Sequence, residues 1–509
     1  MLKQAIHDTI AKSLNKIGAH ETDLILDHPE DLQFGDYTTN IAMQLAKPLK
    51  KSPRVIAQEI IDNIEPSPYI YKIEIAGPGF INIWVSPTLQ YGELNTILTS
   101  SYYGKLEKTN RKTTIEYIDP NPFKEFHVGH LYQGAIGESL ARLHEATGDD
   151  VTRLCYQGDV GLHVAKSIWG MHKLLADRGQ ELHYYEHKPI EERAAFMGEA
   201  YATGAKIFTE DEGVAAEIRQ LNKKIYEKDS SVVEYYDTGR RWSLEYFDTI
   251  YHKLNTKFDG HIFESEVGPK GIEIVRKYLS KGVFKESDGA VVFPGEDYGL
   301  HTRVFINSLG LPTYEAKDIG LAHIKQEQYN PDLSIIITGN EVNEYFKVIL
   351  KVLEIVNPEL RKKTVHLSHG MVRLPEGKMS SRTGKVITAN ALLEQASESA
   401  IDIIQQSNKK LGHTPESLSI TAQKIALAAV KYALLKNGIG KDVEFSFKES
   451  INFEGNSGAY LLYTYVRCNS ILNKNRNTIA NIEQIPLERL SINEQKILRL
   501  LTRFTDIVQ

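Results

Sequence analysis

Residues 115–148 read IEYIDPNPFKEFHVGHLYQGAIGESLARLHEATG. The apolar, β-branched run Ile115, Glu116, Tyr117, Ile118, bearing one acid, predicts a strand. It breaks at Asp119-Pro120-Asn121-Pro122, where two prolines forbid regular structure. After His127-Val128-Gly129-His130, apolar residues at helical spacing (Leu131, Ile136, Leu140, Leu143) predict a helix capped by Gly148. A strand, a polar loop and a helix in that order aim unpaired backbone N–H groups and a positive dipole end at an anion. The two histidines add donors that can shift toward phosphate charge. A bare His-x-Gly-His also occurs in ordinary helix caps, so the rest of the chain has to decide.

At 509 residues, the chain is long enough for about three domains. Its 41% hydrophobic and 25% charged content is that of a globular protein. Cys155 and Cys468 are too few for a disulfide framework or a thiolate metal cluster, which predicts a reduced, cytoplasmic chain without a metal centre. The N-terminus is amphipathic and lacks a secretory core, and no stretch approaches about 18 unbroken apolar residues. A net charge of −6 makes any nucleic-acid surface a local one.

Residues 1–108 predict a small α+β unit, with helices near residues 2–14 and 41–64 and a hairpin turning at Gly77-Pro78-Gly79. Residues 109–390 alternate strands and helices, as a parallel, doubly wound sheet does, with GAVVF, TRVFI and SIIIT among the strands. A charged helical stretch at about 165–285 interrupts them as an insertion. Residues 391–509 read as all-helical. From residue 405 this tail carries 14 Lys and Arg against 9 Asp and Glu. Its Tyr460, Tyr463 and Arg467 suit base stacking and phosphate contact, although tyrosines at helical spacing also build cores.

A second motif, HGMVRLPEGKMSSRTGKVI at 369–387, puts Lys378, Ser380, Ser381, Arg382 and Lys385 on a glycine-flanked loop. Mobile cations there fit a charge that develops in a transition state, as when pyrophosphate leaves. With HVGH upstream, the chain resembles a class I aminoacyl-tRNA synthetase, KMSSR standing where that class has KMSKS. DPNPFKEFHVGH, FGDYTTNIAMQLAK, AGPGFINI, TYEAKDIG and FEGNSGAYLLYTYVR, in that family's motifs, make it most similar to arginyl-tRNA synthetases over nearly its whole length.

The resemblance implies a Rossmann-type catalytic domain, an N-terminal domain contacting the tRNA elbow, and a helical anticodon-binding domain. It implies ATP with Mg²⁺, L-arginine and tRNA(Arg) as partners of a monomer. It places the ATP phosphates on His127, Gly129 and His130, with Gly129 admitting nucleotide to the backbone, and the leaving pyrophosphate on Lys378. Met371, Ser380, Ser381, Gly339 and Glu341 complete the ATP positions. Ser381 stands where the class has a second lysine, and Lys124 is the family's substitute for it. Arginine would meet Glu116, Asn121, His127, Tyr314 and Asp318, since a guanidinium binds carboxylates in bidentate pairs. Without the resemblance, Glu116 reads as an edge-strand acid and Asp318 as a helix-surface acid. Phe34, Asp36, Tyr460, Tyr463 and Arg467 are the implied tRNA contacts.

The chain departs from the family at Val342 (glutamine), Tyr345 (histidine) and Val160 (tryptophan), the last expected to alter packing only. The helical domain is expected to be shortened at Gln509 and to expose apolar surface. Other readings are a different class I synthetase, an HxGH nucleotidyltransferase, or a tRNA-binding paralogue that has lost aminoacylation.

Overall fold

A computed structural model describes residues 2–20, 23–100, 102–373, 388–406, 414–452, 455–474 and 490–509. The chain divides into two compact units, Met1–Glu107 with Asn475–Gln509, and Lys108–Lys474.

In the first unit, α1 (Leu2–Lys16), β1 (Tyr37–Thr39), α2 (Pro53–Asp62), β2 (Ile70–Ala76), β3 (Phe80–Val85) and α3 (Pro87–Thr99) follow in order. The strands form an antiparallel sheet, β1-β3-β2. The hairpin turns where expected, at Gly77 (φ +52°) and Gly79 (φ +145°), values that favour glycine. Ile6, Ile10 and Leu14 on one face of α1 bury against Ile56, Ile60, Ile81 and Ile83. The helix Ile492–Thr502 and the residues after it also belong here, not with the helices at 389–474. Buried polar groups require it. Arg499 Nε donates to Asp36 Oδ1 at 2.6 Å, and Tyr37 Oη to Asp506 Oδ2 at 2.6 Å.

The second unit is built on five parallel strands in the order β11-β10-β4-β5-β6: β4 (Lys112–Glu116), β5 (Asp150–Gln157), β6 (Gly260–Phe263), β10 (Leu333–Gly339) and β11 (Thr364–His369). Helix α4 (Val128–Ala146) joins β4 to β5, and Gly148 ends the turn after it at φ +97°. Because β10 lies on the other side of β4, the connections leave these neighbours in opposite directions. The crevice at their carboxyl ends is the switch point at which doubly wound sheets bind ligands.

Helices α5 (Leu162–Arg178), α6 (Ile190–Glu210), α7 (Glu212–Glu227) and α8 (Ser230–Lys253) form the insertion. It is shorter than the expected 165–285. Strand β6 and α9 (Glu264–Leu279) within that span belong to the sheet domain. GAVVF and TRVFI also fall elsewhere. With β7 (Lys285–Ser287), β8 (Ala290–Phe293) and β9 (Arg303–Ile306) make a separate antiparallel sheet. Short apolar runs carry no mark of which sheet they join. Helices α10 (Tyr314–Tyr329) and α11 (Asn343–Val356) flank β10.

Helices α12 (Ala389–Gln406), α13 (Pro415–Leu435) and α14 (Gly458–Lys474) follow. The small faces of Ala396, Ala400, Ala422, Ala426 and Ala429 share one core with Ile115, Tyr132 and Ile136. Among the described helices α13 has the length and apolarity of a membrane span, and its alanine face is buried in this core.

Candidate active site

The loop after β4 is strained. Ile118 has φ +75°, Asp119 +44° and Phe123 +67°, and a β-branched residue in that region costs about 1–3 kcal/mol. Its neighbours hold it there. Ile118 and Phe123 are fully buried, Asp119 Oδ1 accepts from the Tyr156 N–H at 2.7 Å, and the Phe123 N–H donates to Ser243 Oγ at 2.8 Å. The loop thus carries Asn121 to a cavity of about 760 Å³ at the switch point. A Cβ on Gly158 would meet Asn121 Oδ1 at 2.2 Å, so the turn after β5 must be glycine for that side chain to lie there. Val160, next in that turn, is buried in the core of the insertion with Phe123 and Val164.

His127 caps α4, its Nδ1 accepting from the Gly129 N–H at 3.1 Å. His130 Nδ1 accepts from the His127 N–H at 3.2 Å, and the rings stack 3.6 Å apart. Both Nδ1 atoms accept, so the ring protons sit on Nε2 as donors. Burial, then the Lys124 charge, lowers His127 to about 4, and burial with both neighbours' charges carries His130 well below its ordinary value. The pair is therefore neutral near pH 7. Gly129 lines the cavity, and a Cβ there would also strike the His127 ring at 2.9 Å. The glycine makes room for the cap.

The cavity is also acidic. Glu116, Asp119 and Asp318 line it. Glu116 is only 3% exposed, so it is no edge-strand surface acid, and its Oε2 accepts from Lys325 Nζ at 2.8 Å. Asp318 Oδ2 accepts from Tyr345 Oη at 2.6 Å. Burial raises Asp318 to about 7, with Glu116 and Glu264 adding to the push against the Tyr345 bond. Burial and the Glu116 charge raise Asp119 well above the carboxylate range. Three acidic side chains thus meet one buried ammonium, and an entering cation would favour the ionised forms of Asp119 and Asp318. Tyr314 stands at the entrance, 57% exposed.

Gly339, Glu341, Val342 and Tyr345 border the cavity after β10. Tyr345, the residue in the histidine position, acts from inside by holding Asp318. Lys124 is not on the wall; its Nζ lies 4.8 Å from the Tyr201 ring centre. Burial and Lys166 lower its own pKa. Met371 and Val372 line the cavity, and on the far side of residues 374–387 Thr388 bridges to His127. Lys378, Ser380 and Ser381 lie outside the described residues.

The implied tRNA contacts divide. Phe34, Tyr460, Tyr463 and Arg467 are exposed, so the tyrosines are not core. Asp36 is 5% exposed, with Oδ1 on Arg499 and Oδ2 accepting from the Val85 N–H. It serves the interior of its unit and has no carboxylate oxygen at the surface to offer.

Sequence reasoning missed Lys325, Asp119, Tyr156 and a role for Tyr345. Lys325 was detectable, since it lies two helical turns after Asp318 on α10. The others depend on where β5 and α11 come to rest.

A parallel sheet whose switch point joins a histidine-capped helix to a buried acid pocket defines a class I aminoacyl-tRNA synthetase catalytic unit. The family described as class I (R) tRNA synthetases, catalytic domain, matches residues 93–447, and the arginyl-tRNA synthetase N-terminal domain matches residues 2–85. An arginine–tRNA ligase of Borreliella burgdorferi is 32% identical over 510 residues, covering 97% of this chain and 84% of that protein. One of Clostridium acetobutylicum is 31% identical over 506 residues, covering 98% and 86%. The solved Thermus thermophilus arginyl-tRNA synthetase shares the fold at a TM-score of 0.81 and 23% identity, over 100% of this chain and 87% of that one. The chain belongs to the arginyl-tRNA synthetase family.

Proposed function

We propose that this chain activates L-arginine with ATP and transfers it to tRNA(Arg). The observation that carries this reading is the acid pocket of Glu116, Asp119 and Asp318, facing one ammonium, beside the His127 cap. A guanidinium keeps its charge at any working pH and offers five donors in a fork, so it matches carboxylates held in place. Asn121 and Tyr314 would position the backbone and stem of arginine.

In activation, an oxygen of the arginine carboxylate attacks the α-phosphorus of ATP. The bond to the bridging oxygen breaks, and the electron pair leaves with pyrophosphate. This step needs charge neutralisation and alignment more than covalent help. The Nε2–H groups of His127 and His130 and the start of α4 are the donors for the phosphates. Gly339 and Glu341 would take the adenosine, the acid accepting from ribose hydroxyls. Lys378 would stabilise pyrophosphate; the anchoring of Met371 and Thr388 at the site supports this, since both flank its segment. In transfer, a hydroxyl of the terminal ribose attacks the arginyl carbonyl and AMP leaves.

Among the described residues no group of three or more His, Cys, Asp or Glu is placed to cage a metal. Mg²⁺ would arrive on the ATP phosphates, as it commonly does. The exposed Phe34 of the first unit and Tyr460, Tyr463 and Arg467 of the second are each proposed tRNA contacts, and the reading places the protein in the cytoplasm as a monomer.

Pyrophosphate exchange across the amino acids with tRNA present, alongside charging of tRNA(Arg), tests the proposal. Exchange with arginine is expected. Exchange with another amino acid instead, or tRNA binding with no charging, would sink it.

A further inference from the structure

Tyr156 lies near the end of β5 and lines the cavity with Glu116 and Asp318. Its ring is fixed against the cluster of Leu154, Ile262, Val267 and Leu321. Its hydroxyl oxygen is buried and meets no hydrogen-bond partner among the described residues. A buried polar group left in that state costs free energy and calls for an explanation. The phenol keeps its proton, because burial and then the charges of Glu264, Asp318 and Glu116 raise its pKa far above the ordinary value.

The acceptors of the pocket are partly engaged before a substrate enters. A guanidinium brings five donors and no acceptor. Glu116 already commits Oε2 to Lys325, and Asp318 commits Oδ2 to Tyr345. A fork of donors entering between them meets two carboxylates that are each half engaged. A hydroxyl oxygen can accept a further N–H.

We propose that Tyr156 is a further specificity residue, its hydroxyl oxygen accepting an N–H of the substrate guanidinium. The proposal rests on arginine being the substrate. It makes one residue serve the pocket twice, since the Tyr156 backbone N–H also holds Asp119 in its strained position. The free enzyme carries a hydroxyl oxygen without a partner among the described residues, to which an arginine N–H would donate on entry, so discrimination is built into the pocket before any loop moves.

Tyr156→Phe keeps the ring and removes only the hydroxyl. In arginine-dependent pyrophosphate exchange with tRNA present, the variant is expected to raise the arginine KM about 10- to 100-fold, the range of one hydrogen bond to a charged group. The KM for ATP should stay within about twofold and kcat within a few-fold, since the lost bond is equal in ground and transition states. The melting temperature of the free variant should match or exceed the wild type, because the deleted hydroxyl had no partner. An unchanged arginine KM overturns the proposal. So does a rise in the ATP KM in step with that of arginine, or a variant that fails to fold, since either would give the hydroxyl a structural role. A wild-type enzyme that does not activate arginine refutes the parent reading instead, and the two failures are told apart in the same assay.

Discussion

Lys124 carries a charge that the histidines feel although it does not line the cavity. It lowers both His127 and His130, and its own pKa is depressed by burial and by Lys166. On the proposed function, a charge so placed would act on the phosphates as negative charge builds, rather than on bound arginine. Lys124→Ala is expected to slow adenylate formation about 100-fold, with the arginine KM changed only a few-fold. Single-turnover activation measures this, and near-wild-type activation would remove the substitute-lysine role. Asp318 makes a pH prediction. Its carboxyl titrates at about 7 in the free protein against an ordinary 3.8. Between those values the folded chain holds a proton that the unfolded chain has lost, so this group erodes stability as pH rises through the window, and its cost is complete above about 7. A bound guanidinium favours the ionised form. Arginine affinity should therefore fall between about pH 8 and pH 6, approaching tenfold per unit below 7, with proton release on binding. Calorimetric titration in two buffers checks both, and a flat profile would contradict the assignment. At this scale the sequence named Glu116 and Asp318 through their motifs but could not show that Lys325 and Tyr345 hold them.

Helices α9 and α10 touch through reciprocal glycines. A Cβ on Gly320 would lie 2.3 Å from the Val267 carbonyl oxygen, and one on Gly271 would lie 2.0 Å from that of Ala316. The backbones approach this closely because neither position carries a side chain. Helix α10 delivers Tyr314, Asp318 and Lys325 to the pocket, so its distance from α9 sets where the acid stands. Gly320→Ala is expected to cost about 1–3 kcal/mol of stability and to raise the arginine KM more than the ATP KM. Thermal unfolding with exchange kinetics tests it, and equal changes in the two KM values would argue against α10 as the positioning element. The glycine in TYEAKDIG was visible in the sequence, but its reason was not, because the helix it must approach lies some 50 residues earlier in the chain. Likewise α4 was legible from spacing alone, whereas β6, only four residues long, is a strand by virtue of lying beside β5.

Within the first unit, the polar anchor of Asp36, Arg499, Tyr37 and Asp506 joins residues from opposite ends of the chain. Burial would raise the Asp506 carboxyl, but bonds from His28 and Tyr37 hold it below its ordinary range. Arg499→Ala would leave Asp36 buried with its main cationic partner gone, at a cost of about 3 kcal/mol. Faster hydrogen exchange at the Val85 amide, which donates to Asp36, and a lower melting temperature are the expected readouts. Unchanged exchange there would show that the anchor contributes little.

By itself, the sequence determined most of the elements and the family. Helix and strand periods and proline breaks are local properties, and the HVGH and TYEAKDIG motifs single out His127, His130 and Asp318, which the fold brings to one cavity. The tertiary structure alone decided which strands share a sheet, that Asp36 is an internal anchor, and that Lys325, Tyr345 and Tyr156 surround the acids. Those facts depend on contacts between residues distant in the chain, where burial sets the charge balance and a side chain's role depends on what packs against it.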